Sequence, residues 1–151
     1  MIGDRRMDSI ADESHGAAMP SMPSPEWSWA HPADARIVGF LEKMSGQTFS
    51  YKEVGATRSS PPEGYNFDDN AVQLGRGAEV FARGCAALRA WRMFPAPWTQ
   101  IRPADAPIRE GQTLAMLARA FGLWWLSSCR IVYVVDETSP VRRYGFAYGT
   151  L

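Results

Sequence analysis

The segment GLWWLSSCRIVYVVDE, Gly122 to Glu137, restricts the architecture more than any other part of the chain. Within it, Arg130 to Val135 is β-branched, aromatic and apolar on both faces, the pattern of a strand buried within a sheet. The apolar run from Leu114 to Val135 is long enough to raise the question of a membrane span. Arg119, Ser127, Ser128 and Arg130 interrupt it, and such residues are costly in hydrocarbon. At the N-terminus, Asp4, Arg5, Arg6 and Asp8 are followed by no apolar run, so the segment does not read as a secretion signal. The sequence therefore reads as a soluble cytoplasmic protein with no membrane partner.

The strand next to this segment shows how the sheet is covered. After a turn over Asp136 to Val141, with Pro140, the residues Arg142 to Leu151 return as RRYGFAYGTL. Tyr144, Phe146 and Tyr148 point one way, and Gly145, Ala147 and Gly149 the other. Glycine weakens a strand and marks a place where something approaches the backbone. A packed helix or a ligand meets that requirement, and the helix is preferred because core packing is the default role of apolar residues. Gln112 to Phe121 carries helix formers, but Gly111 before it and the β-rich context after it favour a strand.

Upstream, residues 1–24 are polar, lack periodicity and read as a disordered tail, leaving residues 25–151 as a single domain. Order begins at PEWSWAHPAD, where Pro25 and Pro32 bracket two tryptophans. Ala33 to Met44 reads as a helix. Phe49, Tyr51 and Val54 alternate as a short strand. Ser59 to Asp69, with Pro61, Pro62 and Gly64, is a loop, and a further strand is expected from Asn66 to Leu74. A helix from Ala78 to Arg92 places Phe81, Cys85, Leu88 and Trp91 on one face, and Pro95 and Pro97 stop it. The predicted fold is α+β, a curved antiparallel sheet packed on one main helix.

At 151 residues the chain suits one domain. Its formal net charge of zero gives no global field to attract nucleic acid. Lys43 and Lys52 are the only lysines, an arginine bias that with abundant Ala, Gly, Pro and Trp suits a GC-rich bacterial gene.

Few groups offer catalytic chemistry. His15 lies in the tail and His31 in a proline-flanked segment, so histidine catalysis is not expected. Cys85 and Cys129 lack a neighbouring histidine and read as inert buried thiols. With two cysteines and two histidines far apart, no metal site is expected, and no cofactor. LGRG, Leu74 to Gly77, permits a tight turn into a helix, where Arg76 could meet an anionic ligand. Asp136 and Glu137 face opposite ways on a strand; one of them pairs with Arg142 or Arg143 across the hairpin, or Asp136 acts as a base in a pocket. Tyr133, Tyr148 and Arg130 supply polar groups to a cavity, or the tyrosines are core residues with hydrogen-bonded hydroxyls. Trp124 and Trp125 divide, one inward and one toward solvent or a partner. Arg76, Trp125, Arg130, Tyr133, Asp136, Gly145 and Tyr148 make up the candidate ligand-binding set.

TFSYKEVGAT, PPEGY, LGRGAEVFARGCAALRAWRMF, REGQT with GLWW, CRIVYVVDE and YGFAYGTL together resemble uncharacterised protein family 0548, over Phe49 to Leu151. The family carries no assigned activity. Its members are expected to continue past the last strand, so this chain reads as shortened, with an unpaired edge through which it could self-associate. The order of elements is also similar to the helix-grip folds of START and Bet v 1 proteins, which implies an apolar cavity between sheet and helix. The favoured function is binding of a small apolar ligand. The alternatives are acid–base chemistry on a carbonyl or ester by Asp136, Tyr133 and Arg130, or a protein-interaction surface built from the tryptophans.

Overall fold

A computed structural model describes residues 26–59, 62–94 and 97–151. The expected tail, Pro25, Pro61 and Pro95 lie outside these. Five strands form one curled antiparallel sheet, accompanied by two helices. In chain order these are β1 (Glu26–Ser28), α1 (Asp34–Ser45), α2 (Ala78–Arg89), β2 (Thr99–Arg102), β3 (Thr113–Ala120), β4 (Leu123–Glu137) and β5 (Arg143–Thr150). The fold is thus α+β, as the patterning predicts. β4 is the spine: it pairs with β3 along one edge, and with β1 and then β5 along the other, while β2 extends the sheet beyond β3.

Both faces of β4 are covered. On one, Leu114, Cys129 and Ile131 pack with Trp91, Ile101 and Ala106. On the other, Ala115, Leu117 and Leu126 pack against Ile37 of α1, with Phe40 and Trp124 beside them. This two-sided burial is why the strand carries apolar residues on both faces. A bulge between Ile131 and Tyr133 inserts one residue against β5 and reverses the side-chain alternation beyond it.

α2 ends one turn earlier than expected. Trp91 adopts a left-handed backbone (φ 55°). The amides of Trp91 and Arg92 donate back to the carbonyls of Leu88 and Ala87, the hydrogen-bond pattern of a Schellman stop. Glycine usually occupies that position. Here the turn delivers the indole into the core, where it is 5% exposed and its Nε1 donates to the Ala106 carbonyl at 2.9 Å.

The short strands depart most from expectation. Phe49–Val54 and Asn66–Leu74 are irregular and pair with no strand; a 3-10 turn, Ala56–Arg58, follows the first. β1 and β2 have no counterpart in the sequence pattern, because three or four residues carry too little alternation to register. Gln112 to Phe121 is a strand despite its helix-forming residues, since pairing with β2 and β4 on both edges outweighs propensity.

The β3–β4 hairpin turns through Phe121 and Gly122, both with positive φ (53° and 79°), the geometry of a type I′ turn. Phe121 is 99% exposed, so its ring offsets none of the left-handed strain. Phe121→Asn should therefore stabilise the fold by about 1 kcal/mol, raising the melting temperature by roughly 2–4 °C. An unchanged or lower melting temperature would show that the ring has a stabilising role.

Candidate ligand-binding cleft

Gly149 sets the position of the site. A side chain there would collide with the Tyr51 hydroxyl and come within 3.1 Å of the Phe49 ring. The glycine thus lets the irregular segment after α1 lie directly on β5. The Gly149 end of the small-residue face is covered by Tyr51 and Phe49, and not by the Ala78–Arg89 helix, which packs toward the opposite face through Trp91. From Tyr51 the chain crosses β4 at Gly55, in a left-handed conformation with Val132 Cγ1 3.6 Å from where its Cβ would lie. Thr57 then hydrogen-bonds the Tyr133 hydroxyl at 2.9 Å, and the Arg58 guanidinium lies 4.5 Å over the Tyr133 ring.

Residues 51–57 and 62–67 border, with the sheet, a cleft of about 170 Å³. Val132 and Ala147 contribute from the sheet, and Tyr148 lines it as well. Tyr51, Glu53, Thr57, Tyr65 and Phe67 line it from the loop. The Tyr65 hydroxyl donates to Glu53 Oε2 at 2.7 Å, which holds the Glu53 carboxyl below its ordinary range and the Tyr65 hydroxyl above its own. Burial pushes the Tyr51 and Tyr148 hydroxyls up. The arrangement is an aromatic-lined recess with a few polar groups, the usual composition of a small-molecule site.

Two other clefts are more open. One of about 1090 Å³ lies between residues 72–77 and α2, with Tyr144 at its edge. Val72 and Leu74, which line it, are 81% and 78% exposed. The other, about 490 Å³, runs from Leu41 to the turn at Gly111 and has a polar, charged lining.

The family model described as a domain of unknown function, DUF1990, matches residues 50–151. A UPF0548 protein of Dictyostelium discoideum is 31% identical over 132 residues, covering 80% of this chain and 61% of that protein. This chain belongs to the UPF0548 family. Another UPF0548 protein, from Deinococcus radiodurans, is 35% identical over 133 residues, covering 80% of this chain and 65% of its own length. A third, from Arabidopsis thaliana, is 24% identical over 138 residues, covering 82% and 66%. The chain thus spans somewhat under two-thirds of the length of these relatives. No solved structure matches it.

Both walls of the cleft lie inside the region matched by the DUF1990 model, whereas β1 and α1 precede that match. Of the residues singled out from sequence, Tyr148 lines the cleft and Tyr133 anchors its edge. A Cβ added at Gly145 would meet nothing within 4 Å, and this glycine does not line the cleft. Arg130 lies on the α1 side, where its guanidinium donates to the Met44 and Ser45 carbonyls (3.2 and 2.9 Å) and to Thr113 Oγ1 (3.1 Å). It therefore caps the end of α1. Asp136 faces α2, with Arg89 at 3.9 Å, and it is Glu137 that meets Arg143 across the hairpin, at 3.8 Å. Arg76 is exposed beside the larger cleft, and Trp125 is half-buried opposite Trp27 of β1.

The acid–base set is thereby divided. The register opposes Arg130 and Tyr133 to Gly149 and Ala147, but Asp136 to Tyr144, on the other face. The bulge between Ile131 and Tyr133 puts Arg130 on the Tyr133 face, whereas Asp136, three residues from Tyr133, faces the other way by plain alternation. Sequence reasoning missed Tyr51, Glu53 and Tyr65; their signal is a cluster of aromatics in a Pro- and Gly-rich connection, where loop residues tend to carry function. Cys85 and Cys129 are free and buried, and burial pushes the Cys129 thiol up to about 12, so it stays protonated at neutral pH. Among the described residues no His, Cys, Asp and Glu group is placed to hold a metal ion. No described helix is long and apolar enough to cross a membrane.

Proposed function

We propose that this UPF0548 chain is a binding module whose cleft between residues 51–57 and 62–67 and β4–β5 takes a small, largely apolar ligand. The observation that carries this reading is the cleft itself: about 170 Å³, with Val132 and Ala147 on the sheet side and aromatic side chains around it. An apolar cavity of about 150 Å³ is enough to hold a benzene-sized molecule. Such a role draws on shape and burial and requires no catalytic group.

The test is to isolate the protein from its own host, denature it and identify what it releases by mass spectrometry. The expected result is a small apolar compound that copurifies with the wild-type chain and is missing from Ala147→Trp, whose indole would fill the cleft. Repeated preparations of wild-type protein that release nothing would argue against the reading.

A further inference from the structure

The cleft has a charge asymmetry that narrows its ligand class. Glu53 is the one charged residue lining it among the described residues. Its carboxylate accepts from the Tyr65 hydroxyl at 2.7 Å, and no cation forms an ion pair with it among the described residues. Lys52, its neighbour in sequence, acts on it only weakly, and Arg58 is stacked on Tyr133 outside the lining. Tyr51, Tyr65 and Phe67 line the cleft from the same loop, and of these Tyr65 touches the carboxylate.

Aromatic faces carry negative electrostatic potential and attract organic cations even at exposed sites, as Tyr65 and Phe67 are here (52% and 60% exposed). A carboxylate beside them adds a full negative charge of the same preference. An anionic ligand would be repelled by this combination, and a neutral one would gain only from burial. We propose that the ligand of this cleft carries a substituted ammonium head, held by the Tyr51, Tyr65 and Phe67 rings and the Glu53 carboxylate, with its apolar body against Val132 and Ala147. This inference rests on the cleft being the binding site proposed above.

Two probes of the same shape separate the claims: trimethylphenylammonium and its uncharged carbon counterpart, tert-butylbenzene. Titration of the full chain, followed by NMR, should show the cation binding roughly tenfold more tightly. Glu53→Gln, which can still accept from Tyr65, should remove most of that advantage and leave the affinity for tert-butylbenzene unchanged, which also reports an intact fold. Equal affinities, or tighter binding of the neutral probe, would overturn the ammonium preference and leave the apolar site standing. A cation preference that survives Glu53→Gln undiminished would overturn the part given to the carboxylate. Failure of both probes to bind would overturn the cleft reading together with this one.

Discussion

Trp91→Ala is expected to lower stability by about 3–5 kcal/mol, the usual effect of deleting a buried large aromatic. The indole is 5% exposed, touches Phe146 edge-on with ring centroids 5.1 Å apart, and donates to the Ala106 carbonyl. Removing it leaves a void between α2 and the sheet and an unpaired carbonyl. Trp91→Gly provides an internal control. It creates the same void but relieves the left-handed backbone, so it should be less damaging than alanine by about 1 kcal/mol. Urea unfolding of the three proteins measures both effects. A loss below about 1 kcal/mol for alanine would mean that α2 is not held to the sheet by this residue.

Arg130→Met should also act on stability and not on ligand binding. The wild-type side chain ties three parts of the molecule together: the last carbonyls of α1, Thr113 on β3 and its own strand β4. Hydrogen bonds from a charged donor contribute more than neutral ones, and a cation at a helix C-terminus adds a favourable dipole interaction. Because the site is partly open to water, the expected loss is about 1–3 kcal/mol, or a melting temperature lower by roughly 2–10 °C. Affinity for an apolar probe in the cleft should be retained by the folded fraction. Unchanged stability with lost binding would return Arg130 to the ligand contacts.

The sequence revealed the fold where burial is regular. β5 and both helices follow from apolar periodicity, β4 from its apolar character on both faces, each of which meets one of two cores, and β3 from its β-rich context. It misled in the connection from Phe49 to Leu74, where aromatic alternation suggested strands. Those rings are used differently: Tyr51 rests on Gly149, and Tyr65 donates to Glu53. Neither contact has a period. The glycine–alanine face of β5 correctly pointed to a close approach, but its partner is a loop and not a helix. Tyr133 and Asp136, three apart, face opposite ways on plain alternation, whereas Arg130 is parted from Asp136 by a bulge that no count along the strand could anticipate. Trp91 falls on the face its spacing indicates, yet its role depends on a left-handed turn that the sequence marks with no glycine.

Titrating the full chain with tert-butylbenzene while following side-chain methyl and aromatic NMR signals tests the binding reading most directly. The account predicts saturable shifts at Tyr51, Tyr65, Val132, Ala147 and Tyr148. Shifts confined to the groove between Val72 and Leu88, or none up to the solubility limit of the probe, would contradict it.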